Sequence, residues 1–389
     1  MNIKSLLLGS AAALVAVSGA RAADAVVVAE PEPVEYVRVC DVYGSGFFYL
    51  PGTETCLKIS GYVRVDIRGG DFYGVESAAG DETYDNRVRF QLRTDARSET
   101  EYGTLRAYAA INFNYQVASD TSGTSDYDMG DGVEIEHAYI ELGGFRIGKT
   151  DSYFSTFTDY SSGVMNDGIV PYGPFGTLQI AYTYTGANGF SAGIALEQGD
   201  NDDAVNYTLF DADGDPLPQE SDVNSGITGD YAPYVVGGLS WTQDWGKIGV
   251  VAGYDSWQQE VAIKGRLDVN ITDTASVFVM AAWDSGGDRI EVNDDGVITS
   301  NGSNYYAPWG GDWAVWGGTA IKFNEKATFN AEIGYDDFED FSVAANIEYE
   351  LVPGFAITPE VVYADNFGDE TENAYDNAWG FNLRFQRNF

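Results

Sequence analysis

The chain has 389 residues, of which 60 are acidic and 21 basic, so its formal net charge is −39 at neutral pH. This charge opposes nucleic-acid binding, because phosphate backbones attract basic surfaces. Beyond its first residues the chain has no apolar run long enough for a membrane-spanning helix, which excludes a helical membrane protein.

The start of the chain has the pattern of a secretory signal peptide. Lys4 supplies a positive charge, residues 5–17 are apolar, and Ala20 and Ala22 frame a cleavage site. The pattern predicts that residues 1–22 are removed and that the mature chain is exported.

Two cysteines, Cys40 and Cys56, precede the first candidate strand. A disulfide suits an exported protein, and closing so short a loop stabilises the fold by about 3 kcal/mol. A metal site is the alternative, but structural zinc takes four ligands and the chain has one histidine. The sequence therefore favours a disulfide within a periplasmic segment, residues 23–56, with no metal and no cofactor.

From Leu57 onward, segments of about ten residues alternate apolar and polar side chains, as transmembrane β-strands do. In the first segment Ile59 and Val63 share one face, whereas Arg64 and Asp66 share the other. Counting such segments predicts a sixteen-stranded antiparallel transmembrane β-barrel over residues 57–389. The predicted strands are 57–69, 86–97, 103–115, 132–142, 144–150, 176–185, 189–198, 233–243, 246–255, 259–268, 274–283, 310–322, 326–335, 341–350, 354–364 and 377–389.

The connections between these segments alternate between short turns and longer loops, as in outer-membrane barrels. Aromatic residues near the strand ends, such as Trp241, Trp245 and Trp379, predict girdles that contact membrane lipid. Most arginines fall on inward strand positions. Six of the loops together hold 32 acidic residues and one basic residue, Arg289: 70–86, 116–131, 199–232, 284–309, 336–340 and 365–376.

Several stretches closely resemble the general porins of alphaproteobacterial outer membranes. They are VEYVRVC at 34–40, PGTETCLKISGYVR at 51–64, GGDWAVWGG at 310–318, LVPGF at 351–355 and DNAWG at 376–380 with the ending RFQRNF. The resemblance implies a trimeric outer-membrane barrel with one loop folded inward, through which small hydrophilic solutes and ions diffuse passively. It also implies that the C-terminal aromatic residue, Phe389, is an assembly signal. The family pattern has a second aromatic two residues earlier, where this chain has Arg387.

The loop at 151–175 is richer in Tyr and Phe than in acids, and by position it matches the inward loop. Its carboxylates, Asp151, Asp159 and Asp167, are expected to form one side of a pore constriction. Inward bases are expected to form the other side and to set up a transverse field. The alternative for some of these bases is pairing with strand acids such as Asp66 or Asp95. The expected wall-side residues are Lys58, Arg64, Arg68, Arg87, Arg89, Arg93, Arg106 and Arg384.

An enzyme is disfavoured, because the hydrolytic outer-membrane barrels use a histidine and the single one here, His137, lies on a strand segment where a structural role is more common. We therefore predict no catalytic residues. The remaining alternative to a diffusion pore is a structural or adhesive surface barrel whose long acidic loops, including 199–232, bind partners. Inward arginines favour the pore, since an adhesin has no need of a charged lumen.

Overall fold

A computed structural model describes residues 38–73, 75–76, 82–119, 127–199, 231–286, 290–292, 298–300, 304–366 and 377–389. Contacts divide the chain into Met1–Arg38, almost all of it outside the described residues, and Val39–Phe389. The expected signal peptide, residues 1–22, and loop 200–230 also lie outside the described residues. In the described part, no helix is both long and apolar enough to cross a membrane.

Sixteen antiparallel strands form the sheet, and each predicted strand is present. The first eight are β1 (Cys56–Gly70), β2 (Asp85–Thr100), β3 (Gly103–Ser119), β4 (Tyr127–Leu142), β5 (Phe145–Asp151), β6 (Gly176–Thr185), β7 (Phe190–Gln198) and β8 (Tyr234–Gln243). The others are β9 (Gly246–Asp255), β10 (Glu260–Thr272), β11 (Ala275–Asp284), β12 (Trp313–Asn324), β13 (Ala327–Asp336), β14 (Asp340–Val352), β15 (Phe355–Asn366) and β16 (Ala378–Asn388).

The sheet closes on itself because β1 pairs with both β2 and β16. The closing register runs from Tyr62 opposite Asn388 to Gly70 opposite Gly380. Closure leaves no free sheet edge, and in hydrocarbon each unpaired backbone group would cost several kcal/mol. The sequence-predicted barrel is therefore confirmed.

The predicted facing is visible in the exposure of the side chains. On β1, the outward Ile59 is 52 % exposed, whereas the inward Asp66 is fully buried. One irregularity occurs where β3 meets β4. Ala110 pairs with His137 and Ile111 with Ile135, so Glu136 has no residue opposite it on β3 and forms a β-bulge. The bulge interrupts the alternation of polar and apolar side chains along β4.

Small elements that the sequence pattern did not predict lie between the strands. They are a 3₁₀ turn (Asp41–Tyr43), a two-residue strand (Phe48–Tyr49) beside β1, one helical turn, α1 (Tyr153–Thr156), and two short hairpins, one from Val75–Glu76 and Glu82–Thr83 and the other from Ile290–Val292 and Ile298–Ser300. We call the end of the barrel with the two- to four-residue turns, such as Gly143 and Gly144, the short-turn end. The opposite end is the long-loop end.

Phe389 completes the seam at the short-turn end. Its backbone exchanges hydrogen bonds with Gly61 at 3.1 and 3.0 Å, and its ring stacks on Phe90 with centroids 6.2 Å apart. The side chain faces outward and is 54 % exposed, where a membrane would surround it. Arg387, also outward, extends its guanidinium to the Gly354 carbonyl at 3.3 Å. A charged residue is thus tolerated there because its head reaches the turn.

Cys40 and Cys56 form a disulfide, as predicted. Both are buried with Phe47 in a small apolar cluster at the short-turn end. Phe47 in turn lies under two inward bases, with its ring centroid 5.8 Å from Lys58 Nζ and 5.1 Å from Arg97 Cζ. The disulfide therefore fixes the segment before β1 against the barrel wall.

We predict that the double variant Cys40→Ser/Cys56→Ser is destabilised by about 3 kcal/mol, because the disulfide removes chain entropy from the unfolded state. The midpoint of heat-induced unfolding, followed by gel mobility in detergent, measures the effect. Reduced wild-type protein should behave like the double variant. An unchanged midpoint in both samples would show that the segment before β1 does not depend on the bond.

Candidate pore lining and inward loop

Residues 152–175, which we call the inward loop, leave the wall at the end of the short strand β5. The loop is closed at its base by a hydrogen bond from Ser152 N to Phe175 O at 3.1 Å. The buried Glu197 of β7 accepts hydrogen bonds from Ser152 Oγ at 2.8 Å and from Tyr153 N at 2.6 Å. These bonds direct α1 into the barrel interior.

The middle of the inward loop crosses the lumen to the inner face of β14 and β15. Glu360 of β15 accepts hydrogen bonds from Met165 N at 2.6 Å and from Asn166 Nδ2 at 2.5 Å. Asn346 of β14 donates to Gly163 O at 2.9 Å. The loop is therefore bonded to β7 where it begins and to β15 at its middle.

Three inward bases beneath the loop donate to its backbone. Lys247 of β9 reaches Phe157 O at 3.1 Å, and Lys264 of β10 reaches Tyr172 O at 2.8 Å. Arg266, also on β10, donates to Tyr160 O at 2.6 Å and Ser161 O at 2.9 Å. None of these three bases was among the predicted wall-side residues, although Lys264 and Arg266 alternate with apolar neighbours on β10. They hold the loop, so they are not free to meet a solute.

Inward glycines make room for the aromatic side chains of the loop. A Cβ at Gly193 would lie 1.8 Å from Tyr153 Oη, and one at Gly238 would lie 2.4 Å from the Phe157 ring. The aromatic rings pack there against inward apolar residues such as Val236 and Val251. The barrel interior thus contains an apolar core beneath the loop, on the side formed by β6–β12.

The three predicted loop-side acids, Asp159 and Asp167 in the inward loop and Asp151 at the end of β5, bond within this same region. Asp151 accepts a hydrogen bond from Tyr160 Oη at 2.5 Å, and Asp167 accepts one from Tyr172 Oη at 3.1 Å. Asp159 forms an ion pair with Lys247 at 2.7 Å. Burial raises the pKa of Asp167, so this carboxyl becomes neutral at a higher pH than an ordinary aspartate.

The inward faces of β16, β1, β2 and β3 form a second region, which we call the basic wall. It carries all eight of the predicted wall-side bases: Lys58, Arg64, Arg68, Arg87, Arg89, Arg93, Arg106 and Arg384. Within the part of the chain that the structure describes, no salt bridge joins Asp151, Asp159 or Asp167 to any of them. The three loop-side acids and the eight wall-side bases thus have separate partners, although the loop touches the wall where Asn382 of β16 donates to Met165 Sδ at 3.6 Å and Tyr73 bonds to Asn166.

Four of the wall arginines are paired with strand acids, which is the alternative that the sequence left open. Arg87 and Arg384 share the buried Asp66, at 3.3 and 2.7 Å. Arg68 pairs with Asp85. Arg106 lies 2.9 Å from Asp95 and 2.8 Å from Glu141. Asp95 also pairs with Arg97, and Glu141 also pairs with Arg146. Each of these four thus has a carboxylate partner, and the compensation is partial where two or three arginines share the acids.

The other three wall arginines bond only to neutral amides among the described residues. Arg64 Nε donates to Gln386 at 2.8 Å, Arg89 Nε donates to Asn114 at 2.6 Å, and Arg93 Nε donates to Gln91. These three, which have no carboxylate partner among the described residues, add more to the wall's positive charge than the four paired arginines do. The distinction depends on strand register and could not be read from the inward position alone.

His137 has a structural environment. Its Nδ1 is 3.0 Å from Thr150 Oγ1, and its ring lies 6.2 Å from that of Tyr108. Among the described residues, no group of three or more His, Cys, Asp or Glu side chains is arranged to hold a metal ion.

A closed barrel with an apolar outer surface and a charged inner wall is the architecture of a membrane pore, since a water-filled lumen needs polar side chains on inward positions. The chain matches the family profile described as "Porin subfamily" over residues 24–385, and it belongs to that family. It is 50 % identical to Porin Omp2b of Brucella neotomae and 49 % identical to Porin Omp2a of Brucella melitensis, in each case over the whole of both chains.

Two solved structures share the fold at low sequence identity. The outer membrane channel DcaP of Acinetobacter baumannii aligns with a TM-score of 0.58 at 16 % identity, covering 88 % of this chain and 99 % of that one. OmpF of Salmonella typhi aligns with a TM-score of 0.53 at 10 % identity, covering 86 % and 98 %. The protein is therefore an outer-membrane porin, a water-filled channel for passive diffusion of small hydrophilic solutes and ions, and not an enzyme.

We predict that Gly238→Ala displaces the inward loop and destabilises the barrel by about 1–3 kcal/mol, the usual cost of overpacking. The neighbouring Gly237→Ala is the matched control, because a Cβ there meets nothing nearer than Gly193 O at 4.0 Å. Unfolding midpoints and single-channel conductance of the two variants would be compared. Equal behaviour would mean that Phe157 does not occupy the space above Gly238.

Proposed function

We propose that solutes cross the membrane between the inward loop and the basic wall, which together form the constriction. The observation that carries this proposal is the placement of the loop's bonds. Among the described residues, most bonds between the loop and the sheet lie on β6–β15, whereas the basic wall lies on β16 and β1–β3. The loop meets the wall near its tip, where Asn382 of β16 donates to Met165 Sδ at 3.6 Å and Tyr73 bonds to Asn166. The space between them is bordered by guanidiniums on one side and by Asp151, Asp159 and Asp167 on the other.

Charges of opposite sign across a narrow lumen produce a transverse field, which favours polar solutes over apolar solutes of equal size. The field persists only if the two sides do not neutralise each other through direct ion pairs. Arg64, Arg89 and Arg93 supply its positive side, because they lack a carboxylate partner among the described residues. On the loop side, Asp159 is partly offset by Lys247, and Asp167 by its burial.

We infer the orientation from the connections. The short-turn end faces the periplasm and carries the disulfide-linked segment, residues 23–56, whereas the acidic long loops face outward. Outward aromatics near both ends would contact lipid head groups, including the paired rings of Trp241 and Trp245 at the short-turn end and of Tyr363 and Trp379 at the long-loop end. This orientation places the positive wall beneath an acidic external mouth.

Ion selectivity tests the constriction. The acidic loops concentrate cations at the mouth, but exposed charges are screened beyond about 8–10 Å at physiological salt. We therefore predict weak selectivity that leans toward cations at low salt and fades as salt rises.

Neutralising Arg64, Arg89 and Arg93 to Gln should raise the cation-to-anion permeability ratio at least about three-fold, since one charge 6 Å from an ion contributes about 0.7 kcal/mol even in water. Adding Arg87→Gln should raise the ratio further.

Asp159→Asn/Asp167→Asn should shift the ratio in the opposite direction, toward anions. Reversal potentials across a salt gradient measure both changes. If neither set of substitutions moves the reversal potential, these residues do not line the permeation path and the proposed constriction is wrong.

We also propose that the porin is a homotrimer, which the family resemblance implies. The outward faces of β1, β2 and β3 carry exposed apolar residues, among them Val63, Phe90 and Phe113, that suit contact with lipid or with another subunit. Unheated protein in mild detergent should migrate as one large species that converts to the monomer on boiling. Light scattering at monomer mass before heating would contradict the trimer.

A further inference from the structure

Two arginines of the basic wall lie directly opposite each other on neighbouring strands. Arg64 of β1 is the register partner of Arg89 of β2, and both side chains point into the lumen. Side chains at such positions have Cβ atoms about 4.5–5.5 Å apart, and like charges placed there repel. The neighbouring register pair, Asp66 with Arg87, is instead complementary.

The donors of this arginine pair are only partly used. Each guanidinium binds a neutral amide through Nε: Arg64 binds Gln386 and Arg89 binds Asn114. Within the described parts of the chain, their terminal Nη atoms form no hydrogen bond. Four Nη amino groups of this pair are thus available as donors to a ligand.

Tyr62 orders the same site from below. It is 4 % exposed, and its ring centroid lies 4.5 Å from the Cζ atom of Arg64 and 5.5 Å from that of Arg93. Stacking on a ring fixes a guanidinium plane, so less side-chain entropy is lost when its fork binds a ligand. Arg93 brings a third guanidinium to within reach of the pair.

The nearest strand acid, Asp66, offsets this charge only in part. Asp66 is fully buried and already shared by Arg87 and Arg384. Asp85 and Asp95 are bonded to Arg68 and Arg106. The repulsion between Arg64 and Arg89 would therefore be relieved by an anion from solution.

We propose that Arg64 and Arg89, assisted by Arg93, form a binding site for small oxyanions within the lumen. The ligand class is a solute with a phosphate group or two carboxylates, because planar guanidiniums bind such groups with paired hydrogen bonds and chloride offers no such geometry. This proposal rests on the proposed function, since it requires the basic wall to line the permeation path. It adds that the wall holds a particular chemical group and does not only repel cations.

The test uses the purified full-length porin in planar bilayers with potassium chloride, titrated with inorganic phosphate and, separately, with succinate. Binding should appear as a saturable decrease in chloride conductance at millimolar concentrations. In Arg64→Gln/Arg89→Gln the half-saturating concentration should rise at least ten-fold. Folding of each variant is checked first by heat modifiability.

Arg97→Gln/Arg146→Gln is the matched control. It removes the same two charges from the inner surface, but Asp95 and Glu141 each keep Arg106 as a partner. This variant should retain wild-type saturation. If both double variants lose saturation equally, the effect is one of net charge and the site is overturned.

The outcomes also separate this inference from the proposed function. A shifted reversal potential in Arg64→Gln/Arg89→Gln, with no saturable block in the wild type, would support the constriction and overturn the oxyanion site. An unchanged reversal potential together with no saturable block would overturn both. Saturation by phosphate alone, by succinate alone or by both supports the site and tells which oxyanion solutes it holds.

Discussion

The requirement that every backbone polar group be paired inside a membrane determines the rest of this structure. Hydrocarbon offers no hydrogen bonds, so a spanning sheet must close, and here β1 closes it by pairing with β16. Closure turns alternate side chains inward along every strand. The lumen is therefore lined by residues chosen for water and for solutes, while Ile59 or Phe90 on the outer face suits lipid. The charged wall and the inward residues that contact the inward loop both follow from this two-sided pattern.

Much of the barrel could be predicted from the sequence because alternation has a fixed period. The strand assigned to 246–255 matches β9 at both ends, and the facing of Ile59 and Asp66 is as predicted. The start of β4 at Tyr127 lies five residues before the predicted start, because residues 127–131 include two aspartates and a glycine and read as part of an acidic loop. The disulfide could be predicted from export and cysteine number, and its position at the start of β1 from the chain order.

The constriction residues were harder to separate, because their charges depend on partners from other strands. Arg87 and Arg89 look alike in the sequence, two residues apart on one face. Register sets Arg87 opposite Asp66 and Arg89 opposite Arg64, so one is compensated and the other is not. Likewise, the sequence does not show why residue 238 is glycine, because the reason is the Phe157 ring that packs above it. The alternation of polar and apolar residues in a single sequence predicts which way a side chain points, but not the group that it meets on the neighbouring strand.

The central claim is that the inward loop is bonded mainly to β6–β15 and leaves the arginines of the basic wall open to solutes. Cysteine pairs test it directly, because the native cysteines are already bonded to each other. In Gly163→Cys/Asn330→Cys the new Cβ at residue 163 lies 2.7 Å from the Asn330 side chain in the present structure, so mild oxidation should form a cross-link and leave single-channel conductance close to that of the reduced protein. Gly163→Cys/Arg89→Cys should not cross-link. Cross-linking of the second pair but not the first would place the loop on the basic wall and contradict the account.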